Sequence, residues 1–594
     1  MPARHDRRTA RREGQIQSIV WPYPSPDLGF RRQNRAIFAL ACGFYIAVAF
    51  YLRHLDLYID DAVARTAQAF SVLYSRDPHL GAIGFVWNPL PTLLQLPLIT
   101  VLHTARLDPL LAGNLLTAIC GAAALCVLNR AMLRVGLPPW FRWLLLALYG
   151  LNPVVVLYSA NGESEALFIL LVIIVVTSFI EWAETRSLRA LLVMTLVSAL
   201  AVQTRYESFA LVAAVAGAII LTCAPLIRHI GISGAARRVE SYSLAYLVAP
   251  VYSCATWVFF NWTIKGDPLF FLHSAYSNIA DTAQFREGGA SYLNGVVYSW
   301  PGAFQYGVSR LFWIFPAFGA ILLLAVCQVT ARRARSMTLP GVVLISLAIP
   351  SFEIAMIERG ASFGWLRYFM YGIPFSFLLL IAMCRTIPDL VQGRHAQLLW
   401  VLISLVLLGS NAASWLAMDT PSIGREEKYV VCKILHPNWI SSRNTIRDPR
   451  AIDAAVQSLP PGRVLLDTYQ GFAIPVVSAQ PARYVVTSDL DFEAILRHPA
   501  GTVRYILVPY PDALGLADNI NQQYPDLWER GSSWTLLRRM FPQTANHWKL
   551  YEVTSFPPEG LRGGRHASMS PLPSGNEVPE QTENGCRSAA HVLG

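Results

Sequence analysis

A chain of 594 residues with 54% hydrophobic and only 14% charged residues lacks the charge to cover itself in water, since soluble domains carry roughly 25% charged residues. Its apolar residues come in blocks of about twenty, the length a helix needs to cross hydrocarbon, so a soluble globular fold is excluded. The net charge of +10 does not point to nucleic acid. Basic residues collect near the start of the chain and in the connections between apolar blocks, the pattern that orients a membrane protein.

In chain order, residues 1–35 read as a cytoplasmic basic tail carrying Arg4, Arg7, Arg8, Arg11, Arg12, Arg31, Arg32 and Arg35. The first helix is long enough to act as an uncleaved anchor. Apolar blocks then run over 36–53, 109–129, 143–158, 164–181, 188–203, 207–227, 242–262, 306–330, 340–357, 366–384 and 396–417, predicting about eleven spans within a helical membrane domain at 36–418. Four basic connections (Arg130/Arg134/Arg142, Arg228/Arg237/Arg238, Arg332/Arg333/Arg335 and Arg385/Arg394) face the cytoplasm together only if residues 89–106 do not cross. That segment is short and contains Pro89, Pro91 and Pro97, which disfavour a straight span, so it is expected to lie in the outer interface or dip partway in. The tips at 159–165, 204–207, 263–305 and 358–365 then face outward, with everything after about 417.

From 419 to 555 the composition becomes that of a soluble domain. RVLLD (463–467), RYVVTS (483–488), RYILVP (504–509) and KLYEVT (549–554) alternate with helix-compatible stretches at 490–497 and 511–528, predicting a small extracytoplasmic α/β domain without a catalytic motif. Residues 556–594 are rich in Pro, Gly, Ser and Glu and are expected to be disordered. The nine cysteines are scattered without CxxC or metal-ligand spacing. They read as apolar fillers, and no disulfide framework, metal site or cofactor is expected.

A charge inside a bilayer helix costs several kcal/mol unless paired or wetted, so its placement is informative. Glu163, Glu165, Arg205, Glu207, Arg310, Glu353, Glu358, Arg359 and Arg367 all fall at the outer ends of their helices in this orientation. Asp60 and Asp61 follow the first helix, and a later outer loop holds Lys265, Asp267 and His273. Acids and bases mixed at one membrane face imply a polar cavity open to the outside or to the outer leaflet.

The acidic pair in LYIDDAVARTAQ (57–68), followed by the Pro-containing WNPLPTLLQLPL (87–98), resembles the first external loop of the C-type glycosyltransferase superfamily, membrane enzymes that use lipid-linked sugars. Protein O-mannosyltransferases and lipid A aminoarabinose transferases are the nearest models. LNPVVVLYSANGESEALF (151–168), QTRYESFALV (203–212), NWTIKGDPLFF (261–271) and RYFMYGIPF (367–375) resemble the same superfamily, so the likeness covers residues 36–417. The pair here is Asp-Asp rather than the Asp-Glu frequent in those models, and neither model's sugar is carried over.

The resemblance implies a polyprenyl-phosphate sugar donor, a glycan, lipid or protein acceptor, and membrane lipids as partners, with no nucleic acid. Phosphate leaves as a stable anion, so a cation to stabilise it and a carboxylate to take the acceptor's proton suffice for one inverting displacement. Asp60 matches the first acid of the family pair and is the expected base, with Asp61 as alternate or partner. On an extended strand the two would point to opposite sides. Arg367 and Arg205, with Lys265 as a third, are the expected phosphate ligands. Glu163, Glu165 and Glu207 are candidates for sugar or acceptor hydroxyls, with a lesser contribution from His273. A membrane transporter or lipid flippase is the competing reading. Such proteins place sites near the midplane on broken helices and inverted repeats, whereas the midplane here is nearly uncharged.

Overall fold

The computed structural model describes residues 28–287, 291–331, 337–386, 396–437, 446–511, 515–542, 544 and 547–554. Most of the expected basic tail, the loop arginines 332, 333, 335 and 394, and the expected disordered tail lie outside the described residues.

The first helix, α1 (Leu28–His54), begins ahead of the block expected at 36–53, so Arg31, Arg32 and Arg35 belong to it rather than to a tail. After a short connection, α2 (Asp60–Tyr74) opens with both aspartates in its first turn, where acidic side chains complement the helix dipole. The Pro-containing segment is α3 (Leu90–Thr104), a helix of 15 residues. At 1.5 Å per residue it reaches about 22 Å, short of the ~30 Å hydrocarbon layer.

The apolar core continues with α4 (Leu111–Arg134), α5 (Pro139–Gly150), α6 (Pro153–Tyr158), α7 (Glu165–Thr185), α8 (Leu188–Val202), α9 (Ser208–Cys223) and α10 (Ile227–Lys265). A loop helix α11 (Asn278–Glu287) precedes α12 (Trp300–Ile314), α13 (Pro316–Thr330), α14 (Thr338–Glu358), α15 (Gly372–Thr386) and α16 (Ala396–Asp419). Among the described residues seven helical stretches are long and apolar enough to cross a membrane, or up to eight if one bent pair counts as a span. The chain is a polytopic α-helical membrane protein; the count of eleven is not confirmed, and several of the expected blocks are broken or bent.

Local chemistry explains the difference. The block 143–158 breaks where Asn152 caps α6, its side chain accepting from the Val154 and Val155 amides at 3.0 and 3.2 Å, and Pro153 starts the new helix. The buried Asn152 amide group also donates to Asn411 and Ser414 of α16. Residues 306–330 bend by 105° at Phe315–Pro316, as expected where proline removes a donor and restricts the residue before it. The basic connection between the blocks 207–227 and 242–262 is itself helical, interrupted by Gly231 at φ 72°. α8 is apolar but has only 15 residues.

Beyond α16, α17 (Glu427–Leu435) returns toward the bundle, and α18 (Arg447–Gln457) starts the α/β domain. Strands β1 (Val464–Leu466), β2 (Tyr484–Val486), β3 (Tyr505–Val508), β4 (Thr535–Phe541) and β5 (Trp548–Val553) form one sheet in the order β2-β1-β3-β5-β4. β2, β1 and β3 are parallel and β5 and β4 antiparallel. Alternate strand residues feed two cores. Leu465, Val485 and Ile506 face Phe492, Ile495 and Trp528, while Val464, Leu466 and Tyr505 face Ile452 and Val456 of α18. Burial on both faces accounts for the apolar runs that made these strands legible. The edge strand β4, TLLRRMF, is largely exposed and lacks that signal.

The domain docks on the bundle. Arg76, just after α2, pairs with Asp489 at 2.9 Å and with Asp491. Tyr469 donates to Asp281 of α11 at 2.8 Å, and Ala473 and Val476 pack with Val63 and Phe70 of α2. Among the described residues the cysteines other than Cys432 are free.

Candidate active site

Asp60 and Asp61 sit on a helix rather than a strand. With 3.6 residues per turn, successive side chains diverge by about 100° and residues four apart share a face. Asp60 is exposed. Asp61 turns inward, one oxygen accepting from Arg367 Nη2 at 2.6 Å while its side chain stays 37% exposed. Arg65, four residues on, lies on the same face as Asp61.

The connection between α6 and α7 brings the second carboxylate. Gly162 adopts φ +91°, and a Cβ there would sit 3.2 Å from Ala62 Cβ of α2 and 3.4 Å from the α4 backbone. The following Glu163 amide is held by Asn161 Oδ1 at 3.0 Å, which presents the Glu163 carboxylate to Arg367 Nη1 at 2.8 Å. Gly162→Ala should therefore lower stability by about 1–3 kcal/mol, the cost of a sparsely populated backbone conformation, measured as a lower melting temperature in detergent. An unchanged melting temperature would show that this close approach is not needed.

Arg367 stands in the turn before α15 and is almost wholly buried, at 2% exposure. Besides Asp61 and Glu163 it meets Glu426 at 3.2 Å through Nε, and Trp365 and Tyr368 flank it with ring centroids 4.8 and 5.3 Å away. Arg205, in the turn between α8 and α9, pairs with Glu165 at 2.5 Å and with Glu207 at 2.7 Å, and Ser164 accepts from it at 3.0 Å. Tyr368 lies against both guanidinium groups, and Tyr371 donates to Glu207. Asp61, Glu163, Glu165, Arg205, Glu207 and Arg367 thus form one connected lattice. Burial pushes the carboxyls of Glu163 and Glu426 above their ordinary range, and Arg367 pulls both back down.

Other expected members lie elsewhere. Lys265 ends α10 against the rings of Phe85 and Phe270, each 5.6 Å away. His273 is exposed and bonds Asp267 at 2.8 Å. Arg310 contacts Tyr306 and the Ser422 carbonyl. Glu353 accepts from Ser362.

No protein-family model matches the sequence, and no curated protein matches it. Similar solved structures include ArnT from Cupriavidus metallidurans in the apo state, at 15% identity over 87% of this chain and 97% of that one, with a TM-score of 0.44. The same protein bound to undecaprenyl phosphate matches at 13% identity over 88% and 98%, with a TM-score of 0.45. The oligosaccharyltransferase of Archaeoglobus fulgidus in the apo form matches at 12% identity over 88% and 74%, with a TM-score of 0.39. All three likenesses are distant, at 12 to 15% identity and TM-scores of 0.39 to 0.45.

Three residues in or beside the lattice escape the sequence reading. Glu426 and Glu427 follow the last apolar helix. Glu426 reaches Arg367, and Glu427 accepts from Tyr158 at 2.7 Å. Their signal was an acidic pair just beyond an apolar block, as at Asp60 and Asp61. Arg65 is 7% exposed with its guanidinium 4.5 Å from the Trp87 ring centroid. Its signal was the four-residue spacing from Asp61. Chemically, the lattice holds carboxylates in fixed orientation by charge-assisted hydrogen bonds, with Asp61 at its open edge.

Proposed function

We propose that this protein is a membrane glycosyltransferase that moves a sugar from a polyprenyl-phosphate donor to an acceptor hydroxyl on the extracytoplasmic face. The observation that carries the reading is Asp61: a partly exposed carboxylate, oriented by the buried Arg367 and standing at the edge of a charged lattice. In this reading Asp61, rather than the more exposed Asp60, takes the proton of the acceptor hydroxyl. The acceptor oxygen forms a bond to the anomeric carbon, and the bond from that carbon to the phosphate oxygen breaks. Polyprenyl phosphate leaves with the electron pair, and the configuration inverts. Arg205 and Arg367 are occupied by carboxylates, so they serve first to hold Asp61, Glu163, Glu165 and Glu207 in place. Lys265 and His273 stand apart from the lattice and are given no role in the bond-making step.

The test is transfer from a set of radiolabelled polyprenyl-phosphate sugars in membranes containing the protein, read by thin-layer chromatography. Label moving to a new acceptor supports the reading. No transfer from any donor, with solute or lipid movement across vesicles, would replace it with a transporter.

The orientation is equally testable. Gln480 in the α/β domain and His229 beside Arg228 are both exposed. Gln480→Cys should react with an impermeant thiol reagent added outside, and His229→Cys only after permeabilisation. The reverse labelling would move the lattice to the cytoplasmic face.

A further inference from the structure

Arg205 and Arg367 are matched by carboxylates, but Arg65 is not. Its Nε and Nη1 are buried without a hydrogen-bond partner, and no carboxylate lies within ion-pair distance among the described residues. A buried unpaired guanidinium is costly, so a protein that keeps one holds a place for an anion. The charges that act on it are those of Glu163, Arg205, Asp61 and Glu165, which puts that place beside the lattice.

The loop that covers Arg65 leads toward the lipid-facing side. Trp87 lies over Arg65, and Phe85, two residues earlier, stacks on Trp257 of α10 and lies under Lys265. Hydrogen bonds from Asn88 to the Val202 carbonyl and from Tyr206 to the Val86 carbonyl tie this loop to the turn that carries Arg205. The outer half of α10 exposes Tyr252, Phe259, Phe260 and Trp262, an aromatic surface of the kind that seats at the membrane interface. One loop thus joins an unpaired cation at the reacting lattice to a second cation and an apolar aromatic face at the bilayer.

We propose that Arg65 binds the phosphate of a polyprenyl-phosphate lipid, with Lys265 steering the anion from the interface along the Phe85–Trp87 loop. This deepens the glycosyltransferase reading by assigning the leaving phosphate to Arg65 in place of Arg367 and Arg205. A guanidinium suits the role because its fork donates two hydrogen bonds to one phosphate.

The experiment measures binding of undecaprenyl phosphate to the full chain in detergent, with undecaprenol and inorganic phosphate as probes lacking the charge or the lipid. Wild type should prefer undecaprenyl phosphate to both. Arg65→Gln should weaken that binding by roughly 10- to 100-fold, the range for losing hydrogen bonds to a charged group, and Arg65→Lys should recover part of it. Lys265→Gln should slow association more than it raises dissociation. The ligand-free melting temperature of Arg65→Gln should equal or exceed that of wild type, because no partner is orphaned. If Arg65→Gln fails to fold, the weakened but measurable binding expected of Arg65→Lys decides the matter, and wild-type affinity in Arg65→Lys overturns the proposal. Unchanged affinity in a folded Arg65→Gln overturns it too, and equally tight, Arg65-dependent binding of inorganic phosphate overturns its lipid part. Arg65-dependent binding without sugar transfer from any donor would sink the enzymatic reading alone. Transfer unaffected by Arg65→Gln would sink this assignment alone.

Discussion

Asp61→Asn is expected to abolish sugar transfer while leaving the fold and donor binding in place. The substitution keeps the size of the side chain and an oxygen that can accept from Arg367 Nη2, now 2.6 Å away. Arg367 also retains Glu163 and Glu426, so the guanidinium stays paired and the lattice stays assembled. Only the capacity to take a proton is lost, and general-base catalysis contributes typically 10²- to 10⁴-fold. kcat should fall by roughly that factor with donor KM little changed, since an interaction used only in the transition state has been removed. Asp60→Asn should change kcat by less than about threefold, because Asp60 is exposed at the helix start while Asp61 makes the contact to Arg367. Parallel kinetics on both variants, with melting temperatures to confirm folding, check this. A collapse in Asp60→Asn with normal turnover in Asp61→Asn would return the base to Asp60 and refute the argument from helix face.

The proposed exchange of roles between Asp60 and Asp61 shows where one sequence stops being readable. The helix-end charges Glu163, Glu165, Arg205, Glu207 and Arg367 were legible because a bilayer penalises unpaired charge so strongly that its position carries meaning. Which acid meets which arginine was not legible, since these contacts span up to 306 positions, as in Arg367 to Asp61. The Asp60–Asp61 choice turned on local conformation. A strand and a helix assign the two side chains to different directions, and the apolar pattern of 57–68 did not decide between them. Glu426 was hidden for another reason. It follows the last span, and only the return of α17 to the bundle brings it to Arg367. In the α/β domain the doubly buried strands announced themselves, and the exposed edge strand β4 did not. The helix boundaries depart from the hydropathy blocks where single residues, Asn152, Gly231 and Pro316, break or bend helices that hydropathy averages over.

Arg367→Ala should be the more damaging substitution for the molecule as a whole, lowering kcat/KM by roughly 100-fold or more and stability with it. Removing this side chain leaves Asp61, Glu163 and Glu426 facing one another without their shared cation. Breaking a buried pair by deleting one partner costs about 3–5 kcal/mol, largely from the charge left behind. The variant can relieve that charge by protonation. Burial already holds Glu163 and Glu426 above the ordinary carboxylate range, and the pull of Arg367 that opposes it is gone. The folded variant then binds more protons than its unfolded chain, so its stability falls as pH rises. The deficit relative to wild type should be smallest below the ordinary carboxylate pKa and should widen as pH climbs through the raised values. Melting temperatures of both proteins in detergent across that range measure it. Arg367→Lys should restore part of the stability and less of the activity, because an ammonium cannot reach several carboxylates in the planar geometry of the guanidinium. Donor affinity provides the final discrimination. An arginine that organises carboxylates leaves undecaprenyl phosphate binding nearly intact in Arg367→Lys, whereas a phosphate ligand loses it there while the melting temperature stays high, and that second result would restore Arg367 to the leaving group.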